Sequence, residues 1–301
     1  MPHFMTANKT FGILFYLLEI FNFQCITYYI VFPLTLNTLI LKVFMIIKTD
    51  EEIIKLQKIG TIVADTLVYM KNIACAGMST LELDNLGLEF LKKNNAKSAP
   101  QLMYNFPGAT CISINHHVAH GIPSSKKIKA GDLINIDVSA ELDGYFADTG
   151  GSFIIGDENN NDLNLINLCK ATIEAMYAGI YSVKAGAKIS NIGFAIEKVA
   201  KEKNFTIIEN LGSHGVGLSL HEEPKFIAPY FDKNDRRILQ NGQVITVEPF
   251  LSNGSKYAKE DKDGWTLFIE KNKRAAQFEH SIIVTENEPI ILTIPSHGKF
   301  F

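Results

Sequence analysis

Apolar residues recur at helical spacing after Asp50. Ile53, Leu56, Ile59, Ile62, Val63, Leu67 and Met70 fall on one face, which predicts a helix from Asp50 to about Ile73 with Asp50 as its cap. Ser79-Thr80-Leu81-Glu82 is a capping box, and it opens a second helix that ends by Asn94 or Asn95. The pattern then changes to short apolar runs, read as strands over 110–115, 133–140 and 144–155, the last two joined in a hairpin at Asp143-Gly144. Two more helices, about 160–183 and 189–204, lie either side of Ala185-Gly186-Ala187, and the remainder reads as strands and loops. Strands from both halves with helices between them make an α+β chain.

Three of the apolar runs contain an acid where a core residue is expected. Asp137 follows Leu133, Ile134 and Ile136; Glu248 ends Val244-Ile245-Thr246-Val247-Glu248; Glu279 sits in Ala276-Gln277-Phe278-Glu279-His280-Ser281-Ile282-Ile283. Strands rarely give an inward position to an unpartnered acid, because a buried carboxylate is costly unless a cation or strong donors offset it. Asp148 lies eleven positions beyond Asp137, across the hairpin, so the two can converge on one ion. His214 is flanked by glycines in Gly212-Ser213-His214-Gly215-Val216-Gly217, and His221 follows seven positions later. Small neighbours let the backbone approach an ion or substrate closely. The segment from His221 to Pro224 is not a helical two-histidine zinc motif, and Gly215-Val216-Gly217 is not a dinucleotide fingerprint. Four carboxylates and an imidazole form a hard, oxygen-rich set suited to Mn²⁺, Fe²⁺, Co²⁺ or Zn²⁺. Two such ions at about 3.5–4 Å would ready a water for attack and polarise a carbonyl.

Composition narrows the class. The net charge of −3 offers no bulk attraction for nucleic acid, and Lys and Arg occur in adjacent pairs such as Lys92-Lys93 and Arg236-Arg237 rather than in runs. Cys25, Cys75, Cys111 and Cys169 are widely spaced and form no Cys-x-x-Cys pair, as expected of a reduced, cytoplasmic protein. From Met45 onward there is enough chain for one large domain. The head is different: Ile20 to Leu41 is a stretch of 22 uncharged residues, long enough to span a bilayer but interrupted by Asn22, Gln24, Pro33 and Asn37. It lacks a strongly basic start and a small-residue cleavage site, which argues against a secretory signal. Three readings of residues 1–44 remain open: a mis-assigned start with true initiation at Met45, a membrane anchor with Lys42 and Lys48 on the cytoplasmic side, and a disordered or membrane-associated extension.

Taken together, these segments resemble the type I methionine aminopeptidases, metallopeptidases of the pita-bread fold, over about Ile46 to Pro295. The resemblance implies a single catalytic domain of antiparallel sheet and flanking helices. It makes Asp137 a bidentate ligand of one metal, Asp148 and Glu279 the bridging carboxylates, and His214 and Glu248 the ligands of a second metal. It also implies that His120, in Val118-Ala119-His120-Gly121-Ile122-Pro123, and His221 act on the substrate, with Glu248 shuttling the proton. Phe106, Cys111, Leu220 and Trp265 match the positions of the family's methionine pocket. The chain departs from the family's pattern over 100–107 and at Leu220, where the family often has Phe; both departures touch the pocket rather than the metal ligands. The implied substrates are nascent polypeptide N-termini, with the ribosome a candidate partner and a membrane involved only if residues 1–44 belong to the native protein. Only 26 residues separate His221 from Glu248, too few for the insertion that marks the type II enzymes. The competing functions are a proline-specific pita-bread peptidase, whose extra N-terminal domain has no room here, and a metal-free protein of the same fold that binds peptides without cleaving them.

Overall fold

The computed structural model describes residues 45–156 and 162–298. The 1–44 extension expected from sequence therefore lies outside the described residues, as do 157–161 and 299–301. Among the described residues no helix is long and apolar enough to cross a membrane.

The first helix, α1 (Asp50–Ile73), buries Leu56, Ile59, Val63, Leu67 and Met70 as its spacing predicts. Its cap is Thr49, not Asp50: the Thr49 hydroxyl accepts from the Glu52 amide at 3.3 Å, and the Glu52 carboxylate returns to the Thr49 amide at 3.0 Å. Asp50 instead joins Glu51 and Glu52 in the first turn, where negative charge suits the positive end of the helix dipole. α2 (Thr80–Lys93) starts from the predicted Ser79–Glu82 box and ends at Asn94. The short α3 (Ala99–Tyr104) was not anticipated, although Ser98 at its cap and Pro100 in its first turn are start signals. α4 (Leu163–Tyr181) and α5 (Ser190–Glu202) occupy the two later helical segments.

Among the described residues the strands form four antiparallel sheets. In the first, β4 (Leu133–Leu142) has β5 (Tyr145–Ile154) on one edge, paired through the predicted hairpin, and β1 (Lys97–Ser98) and β2 (Cys111–Ile114) on the other. A five-stranded sheet runs β15 (Ile290–Ile291), β14 (His280–Ile283), β9 (Val244–Val247), β7 (Ser213–Gly215), β8 (Glu222–Ile227). Two three-stranded sheets complete the set: β13 (Ala275–Gln277), β10 (Phe250–Ser252), β6 (Thr206–Ile207); and β11 (Lys259–Glu260), β12 (Leu267–Phe268), β3 (His117–Ala119).

β5 is stitched to the strand pair around Glu279. The Glu279 amide donates to the Gly150 carbonyl at 3.0 Å, the Thr149 hydroxyl to the Glu279 carbonyl at 2.8 Å, and Ser281 bonds both the amide and the carbonyl of Asp148. These buried bonds align carboxylates from two sheets. Helices α1 and α4 lie behind, and their apolar faces join β4, β5 and β9 in one continuous core that includes Ile59, Leu67, Ile134, Ile136, Leu168, Met176 and Val247. The antiparallel sheets and flanking helices are those of an α+β pita-bread fold.

Candidate metal centre and substrate cavity

A cavity of about 330 Å³ opens where these sheets meet, and Asp137, Asp148, His214 and Glu248 line it together with His120 and His221. Glu279, 1% exposed, lies beneath its floor. Asp148, His214 and Glu279 each offer one ligand atom within 4.8 Å of the others. His214 Nε2 also stands 3.3 Å from Glu248 Oε1 and 3.9 Å from Asp148 Oδ2. Asp137, which keeps some exposure to the cavity, interacts closely with the Asp148 carboxyl.

Two of the acids sit differently from expectation. Glu248 and Glu279 do not lie within strands; each occupies a break, after β9 and between β13 and β14. Leaving the ladder frees their amides for other partners, Ser213 Oγ for Glu248 and the Gly150 carbonyl for Glu279, and turns both side chains to the common centre. Behind them stand residues that sequence reading did not single out. Thr246 Oγ1 donates to Glu248 Oε1 at 2.9 Å and accepts from the His214 amide at 3.1 Å. Gln277 Nε2 donates to Glu279 Oε2 at 2.9 Å, while its Oε1 accepts from Asn135 Nδ2 at 2.7 Å. Thr246 and Gln277 each precede their glutamate by two residues, and that spacing was the available signal.

Electrostatics mark this cluster as incomplete without a cation. Burial pushes the Asp137 carboxyl up to about 6. Asp148, Glu248 and Glu279 are pushed well above the carboxylate range, by burial first and then by one another's charge. Asp148 Oδ1 and Glu279 Oε1 are buried without a hydrogen-bond partner among the described residues. Unsatisfied buried acceptors are costly, and oxygen donors from four carboxylates with one imidazole fit a hard or borderline divalent cation. The imidazole is already in ligand form: His214 Nδ1 donates to the Gly215 carbonyl at 3.0 Å, so Nε2 carries the lone pair. Burial holds this ring down to about 4, so at neutral pH its approach to Glu248 is not an ion pair.

The other two histidines stand apart from the carboxylates. His120 opens to the cavity from a left-handed backbone with φ of 51°, and burial of its ring lowers its pKa. The following Gly121 is forced by close approach, since a Cβ there would lie 2.3 Å from the Ile112 carbonyl. The His221 ring packs against His214 with centroids 4.1 Å apart, and burial drives its pKa down, helped by His214. Its loop is pinned by Glu222, whose buried carboxylate accepts from the amides of Met45, Leu218 and Ser219 at 2.5, 2.6 and 2.8 Å.

The four expected pocket residues all line the same cavity. Phe106 and Trp265 meet edge to face with centroids 5.2 Å apart. Cys111 pairs with Asp137 across the β2–β4 ladder, and burial pushes its thiol well up, so it serves as an apolar wall. Leu220 also packs with Met45, Leu56 and Val216 in a separate apolar cluster. Tyr104 and Phe226, not anticipated, add aromatic surface to the cavity.

The profile of metallopeptidase family M24 matches residues 54–286. Methionine aminopeptidase 2 of Bacillus subtilis is 46% identical to the chain over 250 residues, which cover 83% of this chain and 99% of that relative. The crystal structure of methionine aminopeptidase from Rickettsia prowazekii is similar with a TM-score of 0.78 at 35% identity, covering 84% of this chain and 100% of that one. A prolidase from Pyrococcus furiosus is also similar in fold, with a TM-score of 0.66, but at 24% identity, and the alignment spans only 66% of that protein.

Proposed function

The chain belongs to metallopeptidase family M24, and from that premise we propose that it removes the initiator methionine from nascent proteins and peptides, in the cytoplasm, using two divalent cations. The observation that carries this reading is the cavity floor: four carboxylates and one neutral imidazole converge there, with two buried carboxylate oxygens lacking any other partner. Proline-specific peptidases share the fold at 24% identity or less, against 46% for a methionine aminopeptidase. A peptide-binding relative without catalysis has no use for a complete ligand set.

Asp137, Asp148, His214, Glu248 and Glu279 would hold Mn²⁺, Fe²⁺, Co²⁺ or Zn²⁺, which supplies Lewis acidity and lowers the pKa of a nearby water. The chain's own groups do the rest. The wall of Phe106, Cys111, Leu220 and Trp265 receives the methionine side chain and excludes water from it. Glu248 takes a proton from the attacking water and returns it to the departing amine. His221 donates a hydrogen bond to the carbonyl oxygen as negative charge develops there. His120 orients the amide nitrogen next to the scissile carbonyl. Met45 belongs to the folded catalytic unit, being buried with its amide on Glu222; N-terminal sequencing of the native protein separates initiation at Met45 from a chain that retains the apolar head.

The test is a Met-Ala-Ser peptide beside an Xaa-Pro dipeptide, each with Mn²⁺ or Co²⁺. The wild-type chain should release methionine from the first and leave the second intact. Asp148→Asn should lose both metal binding and turnover. His221→Ala should keep its metal while turnover falls by roughly 10²–10³. Undiminished cleavage by Asp148→Asn would overturn the proposal.

A further inference from the structure

We propose that Tyr104 is a positioning residue that holds His221 in the tautomer with its proton on Nε2, so that the ring presents a donor to the substrate carbonyl; this rests on the reading of His221 as the oxyanion donor. The Tyr104 hydroxyl lies 2.7 Å from His221 Nδ1, and the two rings sit 5.5 Å apart, centroid to centroid. A neutral imidazole has one donor and one acceptor nitrogen, so whatever bonds Nδ1 decides what Nε2 can do. Phenol is the better donor and the imine nitrogen the better acceptor of this pair, which sets the hydroxyl proton on the Tyr104 side. Burial and the charge of Asp148 also raise the Tyr104 pKa, so the hydroxyl keeps that proton.

The neighbouring ring shows the opposite arrangement. The Gly215 carbonyl can only accept, so the proton of His214 is on Nδ1 and Nε2 is left bare. Two adjoining imidazoles thus carry opposite tautomers, one shaped as a cation ligand and the other as a hydrogen-bond donor. Lys225 Nζ donates to the His221 backbone carbonyl at 2.6 Å, which fixes the backbone but not the ring. Tyr104 supplies the remaining constraint. It is itself placed by α3, where Ser98 Oγ accepts from the Gln101 amide at 3.3 Å and donates to the Ala109 carbonyl at 2.7 Å, and where Asn105 turns left-handed at φ 55° to end the helix.

Tyr104→Phe keeps the ring and removes only the hydroxyl, at a position 39% exposed, so the fold should be untouched. Two readouts test the idea in the full chain loaded with diamagnetic Zn²⁺. Nitrogen-15 correlation spectra of the His221 ring should show Nε2–H in the wild type and a mixture of tautomers in the variant. Turnover should fall about tenfold in kcat with KM changed by less than about twofold, the pattern of an interaction made in the transition state. A wild-type His221 protonated on Nδ1 would overturn the proposal, as would a variant with unchanged tautomer and unchanged kcat. If instead His221→Ala retains turnover, the oxyanion-donor reading fails while the tautomer measurement still judges the Tyr104 contact by itself.

Discussion

Thr246, in β9, stands two residues before Glu248 and serves two site groups with one hydroxyl. Replacing it with Val conserves shape but leaves the His214 amide and Glu248 Oε1 each short of a partner in a fully buried place. An unsatisfied buried polar group costs about 1–3 kcal/mol, and lost support behind metal ligands typically weakens binding 10–100-fold. Thr246→Val should therefore bind metal at least about tenfold more weakly, read by titration of the metal-free protein. At this scale the sequence was informative where a residue broke its context: Asp137, Glu248 and Glu279 each interrupt an apolar run. Thr246 and Tyr104 break nothing, a β-branched residue in a strand and a Tyr at the end of a short helix, so only their hydrogen bonds reveal them.

Gly150 shows what an element must give up to bring the acids together. It faces Asp137 across the β4–β5 ladder, and a Cβ there would lie 2.5–2.6 Å from the Gln277 amide atoms, the group that donates to Glu279. Gly150→Ala should push Gln277 aside, weaken metal binding by about tenfold or more and lower thermal stability; metal titration and calorimetry would check both. Element positions were legible in the same uneven way. The spacing of apolar residues located α1, α2, α4 and α5, which bury one face along their length, and the apolar runs located the β4–β5 hairpin, which is buried nearly throughout. The cap of α1 went to Thr49 rather than Asp50 because a reciprocal Thr49–Glu52 pair satisfies two amides at once. α3 was missed because six residues are too few for periodicity to show.

Across the whole molecule, the buried acids link metal content to stability and pH. In the metal-free chain burial raises Asp137 to about 6, and burial with mutual charge pushes Asp148, Glu248 and Glu279 well above the carboxylate range, whereas unfolded acids titrate near 4. The folded state thus binds more protons than the unfolded state above about pH 4, and metal-free stability falls as pH rises through 6 and beyond. His214 and His280, both held down to about 4, work the other way, making the fold less stable as pH drops below about 6.5. A bound cation compensates the carboxylate charge, so the difference between loaded and chelated protein should widen from pH 5 to pH 8. At an ion concentration of 100 Kd the gain is about 2.7 kcal/mol, or roughly 5–10 °C in melting temperature. Thermal melts with and without chelator across that range would show it, and a pH-independent gap would contradict it.

Local pattern was enough to determine which segments are helices and strands and which polar residues do not belong in them, because periodicity and burial are properties of a few neighbouring residues. It also isolated the acids, since a carboxylate in a core strand is anomalous whatever surrounds it. Only the tertiary structure decided that acids from two separate sheets meet, that Glu248 and Glu279 leave their ladders to do so, and which groups the rings of His214 and His221 meet. Those outcomes depend on bonds such as Glu279 to Gly150 and Tyr104 to His221, between residues more than a hundred positions apart, and no local pattern records them.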